Sequence, residues 1–479
     1  MMKRLISERP LAVYGLSLGV SAAVLWALWF FMYPYFMRWM EGYSFFSTIP
    51  DYTDIMMTSF KDIPQYIGAF LLQFYKFPAV GALIQALVPV CVAACAGIVV
   101  KKLFREPGML IWLSFLMIPP AVFVQLGDMN LSRAVTMLII ASACALTASV
   151  TAIWKRNFIP LPGMLRHKIF LLAVPVVCTG ISVYLLMNND KLGRYHEEVS
   201  RLEYLGENGD WDGILRSVSR QDALTNKFAR RYVLLALSET GRLPDYAFSY
   251  GLSGADDFLF QHEDYLFCRS FNVLFYRCLG LANPAVYHSY HYSLQSSYGV
   301  CFDAVRYLAD LYLGLKDYSL AKKYIDIMSH STCHGRWVKA RMPALNRIRN
   351  AEPSYVEAAD RFIFTSFIPD MTSLVQRYPG NRKFVDYLLC AVLAEKDADS
   401  FLRLFNQYAH LCYNDGSPIP SLYQEALLLI ASQNPDVLRM FNFDKGIWNR
   451  FVDFTDLMQK GRTAEAKRKY AETYWAYVY

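Results

Sequence analysis

Glycine, proline and cysteine are all sparse, at 25, 21 and 10 among 479 residues. That scarcity excludes collagen-like repetition, proline-rich disorder and a disulfide scaffold. Charge is thin as well, 19% of residues against 54% hydrophobic, with a mean hydropathy of +0.19. Such a chain is too apolar for an average soluble protein and too polar to be membrane helix throughout. No glycine-rich phosphate loop, GxSxG elbow or HExxH helix occurs, so ATP-driven and serine-hydrolase chemistry find no support.

The charge is unevenly placed. Residues 1–187 hold 14 Lys+Arg and 7 Asp+Glu, whereas residues 188–479 hold 34 of each, so the whole excess of +7 lies among the apolar runs. A basic balance located there speaks for membrane topology rather than for nucleic acid. About 20 apolar residues cross a bilayer as a helix. Five segments approach that length: 11–32, 79–100, 109–126, 134–154 and 169–187, none containing Lys, Arg, Asp or Glu. The first is too long for a cleaved leader and ends in Trp29, Phe30, Phe31, Tyr33, Tyr35 and Phe36, a composition suited to an aromatic belt. Pro119 and Pro120 should kink the third. Segments 1–10, 101–108 and 155–168 carry ten Lys or Arg in 32 residues, against four in the 48 residues of 36–77 and 128–133. The positive-inside rule then puts the N-terminus in the cytoplasm and everything after Met187 outside it. The stretch 63–77 is apolar but too short to cross, and reads as an interfacial helix with Lys76 reaching the headgroups. A sixth crossing there would reverse the C-terminal half.

From residue 188 the pattern changes to short amphipathic segments at helical spacing, separated by Gly, Pro, Asn and Asp. In Val305–Met328, Ala309, Tyr312, Ala321 and Ile325 stand close to the spacing of a tetratricopeptide repeat. Small residues there let two antiparallel helices approach. Weaker copies lie at Asp210–Gly241, with Gly241 as a helix stop, at Tyr378–Tyr408, where the proline-led Tyr378–Pro379–Gly380–Asn381 opens the first helix, and at Phe451–Tyr474 with Ala466 at the small position. Cys268–Leu281 reads as a helix ended by Asn283–Pro284. The expected fold is all-α: a bundle of about five transmembrane helices (1–187) followed by an extracytoplasmic tetratricopeptide-like helical solenoid (188–479).

Gly68–Val88 (GAFLLQFYKFPAVGALIQALV), the Trp211 segment and Thr473–Tyr474–Trp475 resemble an uncharacterised family of Bacteroidota integral membrane proteins. That resemblance implies a multi-spanning N-terminal region, a tetratricopeptide-like C-terminal region and a bacterial inner-membrane location. It carries over no catalytic residue.

Chemistry-bearing clusters are few. His330, Cys333 and His334 in HSTCH have helical spacing, but structural zinc takes four ligands and no second pair lies nearby. They read as a polar helix end, and His288 and His291 as packing groups among tyrosines. Cys268, Cys278, Cys301, Cys333, Cys390 and Cys412 lie in the second half. Free thiols are expected, with one disulfide open, though Cys268 and Cys278 on one helix are about 15 Å apart and cannot pair. The loop 36–77 carries Glu41, Asp51, Asp54 and Asp62. In an alternative reading Glu41, Asp51 and Asp54 serve a polytopic enzyme of glycan or lipid-linked-sugar metabolism, one carboxylate deprotonating an acceptor hydroxyl. In the preferred reading they are a solvated loop and no residue is catalytic. That reading is a membrane-anchored helical scaffold, needing no metal or cofactor, with the lipid bilayer and a protein or peptide as partners and no nucleic acid. The tyrosines Tyr287, Tyr290, Tyr292, Tyr298, Tyr470, Tyr474, Tyr477 and Tyr479 serve either core packing or recognition.

Overall fold

A computed structural model describes residues 10–104, 108–154, 173–188, 194–261, 265–297, 299–354, 365–413 and 418–479. Among them there is no β-strand. The first stretch holds α1 (Pro10–Met32), α2 (Pro34–Tyr43), α3 (Pro50–Met56), α4 (Ile63–Leu72) and α5 (Pro78–Leu103). A tight 3₁₀ helix, Gly108–Met117, leads into α6 (Ile118–Leu126), followed by α7 (Ser132–Trp154), α8 (Val174–Met187) and α9 (Tyr195–Glu207). Then come α10 (Trp211–Ser217), α11 (Arg220–Thr225), α12 (Lys227–Glu239), α13 (Leu243–Tyr246), α14 (Leu266–Cys278) and α15 (Ala282–Leu294). Next are α16 (Phe302–Gly314), α17 (Tyr318–Ser329) and α18 (Gly335–Arg347). The remainder holds α19 (Phe367–Arg377), α20 (Arg382–Ala394), α21 (Ala398–Cys412), α22 (Ser421–Ala431), α23 (Val437–Met440), α24 (Lys445–Gln459), α25 (Thr463–Lys469) and α26 (Tyr474–Val478).

These helices form two compact units: Met1–Arg201 with Ser293–Pro353, and Leu202–Tyr292 with Ser354–Tyr479. Met187 marks where the long apolar runs stop. By packing, however, α16–α18 return to the unit that contains those runs, for a reason the candidate site makes plain.

Among the described residues of the first unit three helices are long and apolar enough to cross a membrane: Leu11–Met32, Pro78–Leu103 and Ser132–Ala152. The third and fifth expected spans are shorter apolar helices, Leu110–Leu126 and Val174–Met187. Residues 169–172 of the fifth lie outside the described residues, as do most of the basic residues counted in 1–10, 101–108 and 155–168. Pro119 and Pro120 do not bend a continuous helix. They sit in the first turn of α6, where a missing N–H costs nothing, and the segment before them winds as a 3₁₀ helix.

Lipid offers the helices no hydrophobic reason to associate, so close packing must supply one. On α5 the small residues Ala82, Ala86, Ala93 and Gly97 share one buried face. At Gly97 a Cβ would collide with the Tyr14 hydroxyl. That hydroxyl lies 3.4 Å from the Ala93 carbonyl and 2.8 Å from Ser114 Oγ. At the other end of α1, Trp26 Nε1 donates to the Ala79 carbonyl at 3.0 Å. The two contacts make α1 and α5 antiparallel. Ser21 meets Thr179 at 2.8 Å, and Tyr33 donates to the Leu186 carbonyl at 2.5 Å, so α8 runs parallel to α1. Leu16, Val20, Ile140, Leu146 and Val176 stay exposed, an apolar surface water would not tolerate. The aromatic belt is only partly outward: Trp29, Tyr33 and Phe36 pack inside, while Phe31 faces out. Nor does Lys76 reach outward as expected: its ammonium donates to the Cys333 carbonyl at 3.3 Å.

Short polar residues start the helices of the second unit. Asp210 accepts from Gly213 N, Asn226 from Phe228 N, Asn381 from Phe384 N, Asp397 from Ser400 N and Asp444 from Gly446 N. Gly241 ends α12 at φ +68°, with Arg242 N bonded to the Leu237 carbonyl. Helix α14 ends at Cys278 rather than at Asn283–Pro284. Gly280, at φ +74°, supplies the left-handed turn, and the proline falls in the first turn of α15. Packed pairs form where the sequence placed them, α10 on α12, α20 on α21 and α24 on α25. Ala466 is fully buried. The C-terminal helix is fastened by Tyr474, whose N–H donates to Glu425 Oε2 at 2.8 Å, and by Trp475 Nε1, which donates to the Glu425 carbonyl at 2.8 Å.

Candidate functional site

The site lies in the first unit and begins with α2. Pro34 opens this helix two residues after α1 ends, and its face carrying Phe36, Met37, Met40 and Tyr43 is buried. Among these apolar residues stands Glu41, 1% exposed. A bare carboxylate there would be prohibitive, so it must be paired. The partners come from 265 and 293 positions away. Arg306 Nη2 donates to Glu41 Oε1 and Oε2 at 2.6 and 2.7 Å, and His334 Nε2 lies 2.7 Å from Oε1. Arg306 also pairs with Asp303 on its own helix at 2.5 Å. Gly42 makes the approach feasible, since a Cβ there would overlap the Asp303 carboxylate.

Burial pushes the Glu41 carboxyl up, but Arg306 and His334 together outweigh it and pull its pKa down to about 2. Burial holds His334 below its ordinary value, the Arg306 and Lys76 charges adding to that effect against the pull of Glu41. At neutral pH the pair is therefore a carboxylate and a neutral imidazole. Nε2 carries the hydrogen toward Glu41, and Nδ1 accepts from Ser331 Oγ, 2.7 Å away. The Phe302 ring packs on the imidazole with centroids 4.3 Å apart.

Every residue of HSTCH is used in this docking. The His330 carbonyl accepts from Thr48 N and Oγ1, both at 2.9 Å. Ser331 and His334 form the hydrogen-bonded chain to Glu41. Thr332 donates to Gln73 Oε1 through N at 3.0 Å and Oγ1 at 2.8 Å, and the Cys333 carbonyl accepts from Lys76. Ser44 O accepts from Phe302 N at 2.9 Å, and Tyr43 donates its hydroxyl to the Gln295 carbonyl. The helix pair α16–α17 is thus stitched to the segment between the first two apolar helices. Its own interior follows the repeat-like spacing: Ala309 and Ala321 are fully buried, and Tyr312 stacks on Tyr324 at 5.8 Å.

Serine, imidazole and carboxylate in series have the makings of an acid–base relay. All three are buried, however, with Ser331 at 7%, His334 at 0% and Glu41 at 1%, and Glu41 is committed to Arg306. The arrangement is an electrostatic fastening. Asp51 and Asp54 are exposed on α3, and no contact brings them to Glu41. Among the described residues no group of three or more His, Cys, Asp or Glu is placed to hold a metal ion. His288 stacks on Tyr276 at 5.2 Å, with Arg269 Nη1 at 3.3 Å, and burial lowers its pKa to about 3. All ten cysteines are free thiols. Of the tyrosines, Tyr292 and Tyr474 are buried, Tyr287, Tyr290 and Tyr479 are exposed, and Tyr298 lies outside the described residues.

At the other end of α2, Glu197 caps the helix from a distance: Oε1 accepts from Tyr35 N at 3.2 Å and Oε2 from Phe36 N at 2.7 Å. Burial raises its pKa to about 7 despite these bonds. From the first turn of α9, His196 stacks on Phe36 and Trp39 of α2, with ring centroids 5.4 and 6.3 Å apart. Arg306, Asp303, Ser331, Gln73 and Thr48 carried no mark in the sequence that tied them to Glu41.

These observations define an all-helical protein with helices of membrane-crossing length and a second, helix-pair unit. The chain matches a family of unknown function (DUF6057) over residues 10–188 and 158–479, and it belongs to that family. No curated protein and no solved structure matches it.

Proposed function

We propose that the protein is a membrane-anchored helical-repeat scaffold that binds a partner protein or peptide at the outer face of a bacterial inner membrane. The observation that carries this reading is the Glu41–Arg306–His334 fastening. It ties a repeat-like helix pair rigidly to the segment joining two membrane-length helices, as a platform requires. The packed pairs of the second unit, with Tyr287 and Tyr290 exposed on α15, supply surface of the kind favoured in recognition.

Five crossings are supported by reach and direction. Ten residues of 3₁₀ helix at about 2.0 Å each and nine α-helical residues at about 1.5 Å each extend about 33 Å, enough for a bilayer core. Because α8 runs parallel to α1 and ends beside Tyr33, residue 188 emerges on the face where α1 ends. That relation agrees with the charge rule without depending on it. The enzyme alternative draws no such support, since Glu41, one of its three candidate carboxylates, is sealed in an ion pair.

The test is affinity capture of the full chain from crosslinked membranes. A reproducible partner that is lost when Tyr287 and Tyr290 are changed to Ala is expected. Absence of any reproducible partner overturns the proposal. Envelope glycan profiles altered by Asp51→Ala or Asp54→Ala would favour the enzyme instead.

A further inference from the structure

Residues 188–479 are balanced in charge, yet Gly335–Ala351 contains five basic residues (Arg336, Lys339, Arg341, Arg347 and Arg349) and no acid. Helix α18 occupies most of that stretch and is largely exposed, with Leu345 its only residue classed as buried. Its inner face is defined by Leu345 and by Arg341, which grips Asp310 at 2.7 and 2.8 Å and lies 3.9 Å over the Trp337 ring. Arg336, Lys339, Arg347 and Arg349 are exposed, as is Met342 at 40%.

The start of this helix is fixed close to a membrane-length helix. Its N-cap is His334, bonded to Glu41, and the two residues before it are bonded to Gln73 and Lys76. Lys76 is two positions ahead of Pro78, where α5 begins. The same connecting segment exposes Ile55 at 74% and Phe60 at 91%, large apolar side chains that water leaves uncovered and a bilayer interface accommodates. Thirteen helical residues reach about 20 Å from that anchor. We propose that α18 and the turn after it form a basic surface that binds the phosphate groups of anionic lipids, Arg336, Lys339 and Arg347 on the helix and Arg349 in the turn making the contacts. The charges complement the headgroups, and the helix begins where this unit meets the membrane. Each basic residue near an anionic surface strengthens binding on the order of fivefold.

The experiment compares hydrogen exchange of the full chain in nanodiscs of phosphatidylcholine alone and with about 30% phosphatidylglycerol. Exchange of the α18 amides is expected to slow about tenfold or more with the anionic lipid. The effect should be lost at high salt and in the quadruple variant Arg336→Gln, Lys339→Gln, Arg347→Gln, Arg349→Gln, while α16 amides, reporting the fold, stay unchanged. Equal α18 exchange in both lipids overturns the proposal. So does protection that appears only when a soluble polyglutamate peptide is added, which would make the helix an acidic-protein site.

Discussion

Replacing Glu41 with Gln removes one charge from the fastening and keeps its shape. Lowering the carboxyl from 4.5 to about 2 corresponds to about 3 kcal/mol in favour of the ionised, paired form. Breaking one side of a buried pair costs about 3–5 kcal/mol. The Arg306 side chain is 19% exposed, so water recovers part of that cost and about 3 kcal/mol is the expected penalty. Arg306→Met should cost at least as much, because it strands the carboxylate beside a neutral imidazole. The double variant should cost less than the two together, with a coupling of about 1.5–3 kcal/mol. Two units make global unfolding a poor two-state measure, so amide exchange in α16 and α18 is the assay. For Glu41→Gln, exchange there should accelerate on the order of 100-fold, with little change in α20. The depressed pKa fixes the sign of the pH effect: the stabilisation is complete above about pH 4.5 and fades as pH falls toward 2. A coupling below about 0.5 kcal/mol would refute the argument.

Gly42→Ala should loosen the same region by about 1–3 kcal/mol, because its methyl group displaces the Asp303 carboxylate from Arg306; faster exchange in α16 is the readout. Ala321→Leu overfills the α16–α17 crossing and should cost a similar amount, read in the α17 amides. Glu425 has its pKa raised to about 7 by burial, so its folded form holds a proton that the unfolded chain releases near 4.5. Its contribution is therefore complete at low pH and is lost as pH rises through 7. From about pH 5 to about pH 8 the wild type should lose about 2–3 kcal/mol more than Glu425→Gln, measured by exchange at α26. Equal losses would remove Glu425 from the account.

Much of the architecture was legible in the sequence because it rests on local chemistry. Three long apolar helices follow from uncharged runs, and the packed pairs follow from Asp210, Asn381, Ala309 and Ala321, residues whose roles are set by near neighbours. The third expected span was less regular than hydropathy implied, since a 3₁₀ turn pattern and a proline pair leave the same composition as a straight helix. The C-terminal end of α14 was misread for a related reason: Pro284 can open a helix as readily as close one, and Gly280 was the true stop. The fastening was hidden altogether. Glu41 looked like a solvated loop acid, and HSTCH a polar helix end, because their partnership spans 293 positions and one sequence shows no pairing across such a distance. A clue was present in the composition of α2, where a lone acid sits among Trp39, Met40 and Tyr43 beside a glycine.

The central proposal is that the C-terminus lies on the same side of the membrane as the connection between the first two apolar helices. A proteolytically cleavable tag placed after Tyr479, and a second inserted beside Thr58, measure it directly in intact spheroplasts. The account expects both tags to be cut by protease added from outside. Protection of the C-terminal tag until the membrane is broken, with the first tag still cut, would contradict it.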